Sequence, residues 1–246
     1  MSLPEIVTGE QWLAARRQLL AREKELTRLR DTLNADRRRL PMVRVTEDYR
    51  FQGPDGEVRL LDLFQGRRQL VLQHFMFPPE WDAGCSGCTA GVEEMSDGLL
   101  RHLNARETTF VLVSRAPYAT LAKYRQEKGW TVAWYSSHGS AFNYDFHVSL
   151  DESVTPVMFN YRDAAQLREA GLGWAAEGPC EQPGVSCFLR EGDAVFHTYS
   201  TFARGTEEFG GAYAVLDLTA LGRQEDWEEP KGRAATVHGA DPSFAE

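Results

Sequence analysis

Apolar residues recur at seven-residue intervals near the start of the chain: Trp12, Leu19, Leu26 and Leu33, with Leu13, Leu20 and Leu29 beside them. The residues between are largely Arg, Glu, Lys and Gln, so the pattern predicts a long amphipathic helix. Thr8-Gly-Glu-Gln11 has the form of a capping box at its start, and Pro41 bars continuation past Leu40. The stripe suits packing on the chain's own domain or pairing with a second subunit, and both readings stay open.

Beyond Pro41 the period changes to that of strands. Met42–Thr46 and Tyr49–Phe51 alternate, and the Gly53-Pro-Asp-Gly56 turn joins them to Val58–Leu61. Leu61–Phe64 reads as a short helical turn. Gln69–Phe75 and Thr108–Val113 are apolar runs, the second typical of a strand covered on both faces. Between them Val92, Met95, Leu99, Leu100 and Leu103 recur at helical spacing, predicting one helix. Pro117–Lys128 reads as a helix ended by Gly129, and Thr131–Tyr135 as another strand. Residues 136–184 carry no clear period. Val185–Leu189 and Ala194–Tyr199 flank Arg190-Glu-Gly-Asp193 as a hairpin, and Thr206–Leu221 holds a last helix that Gly210-Gly211 weakens. The order β-α-β-α-β, irregular stretch, β-β-α predicts an α/β fold, a mixed sheet flanked by helices. The expected division is a helical extension over 1–41, a domain over 42–227 and a mobile polar tail over 228–246.

Charge narrows the partners. The net charge is −9, but residues 1–40 hold nine Lys+Arg against six Asp+Glu, which leaves −12 on the remainder. An acidic body argues against general nucleic-acid binding, and the basic stretch reads as a solvated helix or a docking arm. No apolar run approaches the ~20 residues that cross a bilayer, and the acidic start lacks the apolar core of a secretory signal. The expected location is cytoplasmic, with no membrane partner. In that compartment a vicinal cysteine pair is more often catalytic, redox-sensing or metal-binding than structural.

Such a pair stands at Cys85-Ser86-Gly87-Cys88, after the first core strand and the turn-rich segment Met76–Gly84, and at the head of the helical pattern. Strand, loop, C-x-x-C and helix in that order open a thioredoxin-type unit. A cysteine at a helix N-terminus faces unpaired N–H groups and the positive end of the dipole, which favours the thiolate, the species that attacks a disulfide. Cys85 is therefore the expected attacking thiol and Cys88, one turn in, the buried resolving partner. The dull alternative is a pair of unreactive core cysteines. Cys180 and Cys187 are read as inert, as a second redox pair, or as completing a four-thiolate zinc site of unusual spacing. The six histidines show no metal spacing, so no metal is expected, and the only redox group required is the protein's own dithiol. Trp81 is a candidate to cover the disulfide and shape a substrate groove, or simply a packed ring. Arg115, at the end of a strand, lies where α/β folds bind ligands, or forms a surface ion pair. His74 is read as a polar contact under the site or as a satisfied core histidine, and His138 and His147 as flanking a loop near the cleft.

Many short motifs in one order resemble a bacterial family of thioredoxin-like proteins of unknown function that are labelled as predicted dithiol-disulfide oxidoreductases. They include Glu23–Asp31, Arg37–Pro41, His74-Phe-Met-Phe77, Trp81, Gly84-Cys85, Ser114–Pro117, Tyr135-Ser-Ser137, Phe142-Asn143 and Asp145–Val148. They continue through Pro183-Gly184, Phe196–Ser200, Arg204-Gly205, Leu216-Asp217 and Gly222-Arg223, so the resemblance covers nearly the whole chain. It implies a thioredoxin-like fold. Thioredoxin itself has Trp before the first cysteine and Gly-Pro between the pair, where this chain has Gly84 and Ser86-Gly87. Thioredoxin also has a cis-proline opposite the disulfide, and Pro183 is the candidate for that place.

The leading functional expectation is a thiol-disulfide oxidoreductase acting on a protein or small-molecule disulfide and recycled by an external reductant. A peroxiredoxin-like peroxidase is the enzymatic alternative: Phe77-Pro78 and the strand ending in Tyr135-Ser-Ser137 are similar to that branch. Asp82, however, stands where such a pocket commonly has a threonine donor. The non-enzymatic alternative is a thioredoxin-fold binding protein or redox sensor, its N-terminal helix docking a partner. A homodimer through that helix is compatible with all three.

Overall fold

A computed structural model describes residues 4–209, 211–225, 227–232 and 236–237. The described chain forms two compact units, one from 4–41 with 216–237 and the other from 42–215. Residues 216–225 and 227, expected with the sheet, therefore group with the N-terminal helix. Most of the expected tail, including 238–246, lies outside the described residues.

In the first unit, α1 (Gly9–Arg37) begins at the Thr8 cap, whose Oγ1 accepts from the Gln11 N–H at 3.3 Å. The Gln11 side chain accepts in return from the Thr8 N–H at 3.0 Å, completing the capping box. No residue of α1 is buried, so its leucine stripe is not part of a core. In the segment that follows residue 215, Arg223 forms a two-pronged ion pair with Asp217, both contacts at 2.8 Å.

The second unit runs β1 (Val43–Arg44), β2 (Arg50–Gly53), β3 (Gly56–Arg59), a 3-10 turn at Asp62–Phe64 and β4 (Gln69–His74). It continues with α2 (Ser86–Glu93), α3 (Asp97–Asn104), β5 (Thr108–Ser114), α4 (Tyr118–Lys128), β6 (Ala133–Ser136) and α5 (Phe142–Asp145). Then come β7 (Ser149–Leu150), β8 (Met158–Phe159), β9 (Arg162–Asp163), α6 (Ala164–Glu169) and β10 (Cys180–Glu181). The hairpin of β11 (Gly184–Glu191) and β12 (Ala194–Phe202), a 3-10 segment and all but the last residue of α7 (Gly211–Leu216) close it.

Eight strands form one sheet in the order β1-β12-β11-β4-β5-β6-β2-β3. β4, β5 and β6 are parallel, and the flanking pairs are antiparallel. The central order β12-β11-β4-β5, with helices carrying the parallel crossover, is the thioredoxin-like arrangement: a mixed sheet flanked by helices. Alternation along β4, β5 and β6 divides the core between the two faces. Leu70, Leu72, Val111, Val113 and Tyr135 join Phe51, Phe64 and Phe142 on one side. Val71, Phe110, Leu112 and Trp134 join Phe75, Phe77, Cys88 and Leu121 on the other. All seven residues of β5 are buried, as suits a strand whose apolar run Phe110–Val113 is covered on both faces. The segment without a readable period builds a third cluster around Val148, Leu150, Phe159 and Leu167.

The single helix expected after the cysteines is two. Its apolar spacing is maintained across a break, and Ser96 caps the second piece by accepting from the Leu99 N–H at 3.1 Å. The last expected helix is likewise short: a 3-10 segment at Ala203–Phe209 and α7 replace it. Among the described residues no helix is long and apolar enough to cross a membrane.

Candidate redox site

The loop after β4 is held to the sheet at several points. The Phe75 N–H donates to the Val113 carbonyl at 2.9 Å, extending the ladder beyond His74. The Ser114 hydroxyl donates to the Phe75 carbonyl at 2.6 Å and accepts from Trp134 Nε1 at 3.0 Å. Ala116 N–H donates to the Phe77 carbonyl at 2.7 Å, and Cys85 N–H returns to the Met76 carbonyl at 3.0 Å. Residues 77–84 are thus a closed excursion whose two ends meet beside β4.

Gly84 permits that return. A Cβ at this position would stand 2.5 Å from Phe75 Cε1 and 2.9 Å from its Cζ. The buried Phe75 ring, itself packed on Trp134 at 4.7 Å between centroids, cannot easily yield. The tryptophan that precedes the first cysteine in thioredoxin would not fit this backbone.

Cys85 is the N-cap of α2, and its Sγ accepts from the Cys88 N–H at 3.5 Å. Its backbone is extended (φ −51°, ψ 131°) while its carbonyl already receives the Thr89 N–H at 2.9 Å. The thiol is partly buried, whereas Cys88 is inside the apolar cluster with Val92 and Phe77. The Thr89 hydroxyl meets the Tyr124 hydroxyl at 3.0 Å and ties α2 to α4.

Arg115 follows the end of β5. Its Nη1 donates to Glu181 Oε1 at 2.7 Å, and its guanidinium lies over the Tyr144 ring at 5.0 Å. The same carboxylate oxygen accepts from the Ser149 hydroxyl at 2.7 Å. Burial pushes the Glu181 carboxyl above its ordinary range, and the bonds from Ser149 and Arg115 oppose that rise. This partly buried ion pair ties the C-terminal end of β5 to the segment entering Pro183. Glu80, in the loop before Cys85, also bears on the Arg115 charge.

Pro183 lies one residue before Gly184, which pairs with His74, so the register carries it beside Phe75 at the same end of β4 as the cysteine loop. Its bond is not cis: among the described residues the cis peptide is Glu229–Pro230. The sequence leaves open whether Pro183 is cis, and here the bond is trans. Trp81 is 41% exposed in the loop, in a turn closed by its N–H to the Pro78 carbonyl at 3.2 Å. It is therefore not a buried packing residue.

His74 belongs to the opposite face. It shares the side of β4 that carries Leu70 and Leu72 and stacks on Phe142 at 5.6 Å, whereas Cys88 packs with Phe75 and Phe77. Its Nε2 meets the Ser186 hydroxyl at 2.8 Å, Ser186 meets the Ser200 hydroxyl at 2.8 Å, and Ser200 meets His197 Nε2 at 2.7 Å. Burial, with a smaller contribution from His197, pushes His74 down to about 3, so its ring is neutral. Sequence reasoning overlooked this relay: strand parity could place His74 with Leu70 and Leu72, but nothing local indicated that Ser186, Ser200 and His197 would meet it. Nor did it anticipate the Tyr49 hydroxyl donating to Asp145 at 2.7 Å.

His138 contacts the Arg115 carbonyl through Nδ1 at 3.2 Å, whereas His147 is held in the left-handed region at φ 56°. Cys180 packs in the third cluster, where burial pushes its thiol up, and Cys187 lies in β11 opposite Val71. The four cysteines do not converge. Among the described residues no group of three or more His, Cys, Asp or Glu is placed to hold a metal ion.

The sequence model of the family described as "Bacterial protein of unknown function (DUF899)" matches residues 1–239. No curated protein matches the chain. Similar solved structures include peroxiredoxin Q of Xanthomonas campestris, at 12% identity and TM-score 0.46 over 74% of this chain and 98% of that one. Peroxidoxin BcpB of Mycobacterium tuberculosis has 12% identity and TM-score 0.44 over 69% and 93%. A cysteine-to-serine mutant of PrxQ from Xylella fastidiosa has 14% identity and TM-score 0.42 over 69% and 90%.

Proposed function

The chain belongs to this bacterial family of unknown function, and we propose that it acts as a thiol-disulfide oxidoreductase through Cys85 and Cys88. The observation that carries the reading is the position of Cys85 as N-cap of α2, its Sγ accepting from the Cys88 N–H at 3.5 Å. Negative charge on that sulfur is favoured by the N–H and by the helix dipole.

The Cys85 thiolate attacks one sulfur of a substrate disulfide, forming a mixed disulfide and releasing the other sulfur as a thiolate. Cys88 then loses its proton to solvent or to that leaving thiolate and attacks Cys85 Sγ. The substrate leaves fully reduced, and the Cys85–Cys88 bond holds the two-electron oxidation. An external dithiol reductant restores the pair. Burial of Cys88 suits it to resolution and not to first attack. Arg115 and the Pro183 segment border the same sheet end and are the candidates for substrate contact, with Trp81 as an exposed ring in the adjoining loop. The peroxidase alternative is weaker, because Asp82 is an exposed carboxylate where that pocket calls for a donor.

A redox titration of the purified protein, read by alkylation and intact mass, tests the proposal. A single two-electron transition confined to Cys85 and Cys88 is expected, with Cys88→Ser trapping a mixed disulfide on Cys85. Both thiols remaining reduced across the cytosolic range would sink it. Rapid peroxide consumption, with sulfenate at Cys85, would transfer the assignment to the peroxidase.

A further inference from the structure

The stripe on α1 is open along its length. Trp12, Leu19, Leu26 and Leu33 are 59%, 48%, 58% and 55% exposed, and Leu29 beside them 64%. From Trp12 to Leu33 the seam runs about 32 Å along the helix, and an exposed apolar seam of that length marks an interaction surface. A helix stripe that packs on a globular core widens to follow 3.6 residues per turn. This one keeps a seven-residue repeat, the period of a left-handed coiled coil.

We propose that α1 pairs with α1 of a second copy of this chain as a parallel, in-register two-stranded coiled coil. The seam residues Trp12, Leu19, Leu26 and Leu33 occupy one core position of the heptad, and Ala15 and Leu29 belong to the other. Charge selects both partner and direction. In parallel pairing Glu25 faces Arg30 of the second copy, and reciprocally. The equivalent contacts bring Gln11, Gln18 and Thr32 opposite Arg16, Glu23 and Arg37, so no like charges meet across the flanks. Antiparallel pairing would set the column Arg16, Glu23, Arg30 and Arg37 against itself, so that Glu23 meets Arg30 but Arg16 meets Arg37, a like-charge contact that the parallel register lacks. Two such helices cover roughly 1,000 Å² in total, at the lower limit for a specific interface. Arg22 and Asp36 take the remaining core positions; polar groups there weaken a coiled coil while restricting its register and strand number. The association is therefore reversible, with the monomer present at low concentration.

Sedimentation equilibrium of the full chain from about 1 to 100 μM tests this, together with a Leu19→Glu/Leu26→Glu variant. Both substitutions are at exposed helical positions and introduce a good helix former, so far-UV circular dichroism should be unchanged. The expected result is a concentration-dependent rise from 27.7 kDa to twice that mass, weakened at least tenfold in the variant. A Leu33→Cys substitution in a Cys85→Ser/Cys88→Ser background should form a symmetric disulfide between the two copies at position 33 on mild oxidation. A chain that stays monomeric at 100 μM, or a dimer the double variant leaves intact, overturns the proposal. A dimer lacking that symmetric cross-link overturns the parallel register.

Discussion

Gly84 lies so close to Phe75 that a side-chain carbon would stand 2.5 Å from the ring, and the residue so confined is the one immediately before Cys85. Packing thereby sets the path by which the chain reaches the cysteine. Gly84→Ala should overpack this contact and cost ~1–3 kcal/mol. By contrast, Gly91→Ala, inside α2 with nothing within 4 Å of its added carbon, should gain ~0.5–1 kcal/mol. Chemical denaturation of the two variants checks both signs, and equal effects would mean that the loop yields freely.

Cys85 and Cys88 should differ sharply toward an alkylating agent. The first caps α2 and is partly open to solvent, and the second is 6% exposed inside an apolar cluster. Under native conditions at neutral pH, Cys85 should label at least about tenfold faster than Cys88 and faster than a typical exposed thiol. Peptide mapping of a labelling time course reads the ratio. Equal rates for Cys85 and a free model thiol would leave the pair as ordinary core cysteines.

His74 ties stability to pH. Its folded value of about 3 lies below the ordinary 6.5, so the unfolded chain binds the extra proton first. The stabilising contribution is fully present above about pH 6.5 and is lost as pH falls toward 3, by a few kcal/mol at most. His74→Phe keeps the stacking on Phe142 and removes the titrating group. Urea denaturation at pH 7 and pH 4.5 should show a smaller acid loss in the variant than in the parent. Identical losses would count against a buried neutral imidazole.

The Arg115–Glu181 pair should act as a structural tie as well as a border of the site. Arg115→Ala leaves a carboxylate with 6% side-chain exposure facing only part of its donor set. The expected cost is ~1–3 kcal/mol, below the range for fully buried pairs because Arg115 retains 25% exposure. Glu181→Gln in the same background should recover much of the loss. A melting temperature unmoved by Arg115→Ala would mean that the pair acts only as a surface ion pair.

Much of this architecture is legible from local patterns. The capping box at Thr8 and Gln11, the seven-residue stripe, the apolar run within β5 and the hairpin around Arg190–Asp193 are set by residues close in sequence. So is the place of Cys85 at a helix start, because strand, turn and helical periods meet there. What residues 136–184 form was not legible, since their small elements are stabilised by contacts to distant strands, such as β7 with β10. The break between α2 and α3 escaped the pattern because two short helices in line preserve one apolar period. Ser96 could have signalled it.

On its own, then, the sequence determined the thioredoxin-like order of elements, the candidate cysteines and the apolar seam of α1, all of which depend on spacing along one segment. Tertiary structure decided which groups meet. It put His74 and Cys88 on opposite faces of one sheet, because strand parity separates them only once β4 is buried on both sides. It joined Arg115 to Glu181 across 66 residues, and His74 to Ser186 across 112. It also set Cys180 against the third cluster and Cys187 in β11 opposite Val71. Contacts of that kind arise from the burial of whole surfaces and carry no signature in the residues that make them.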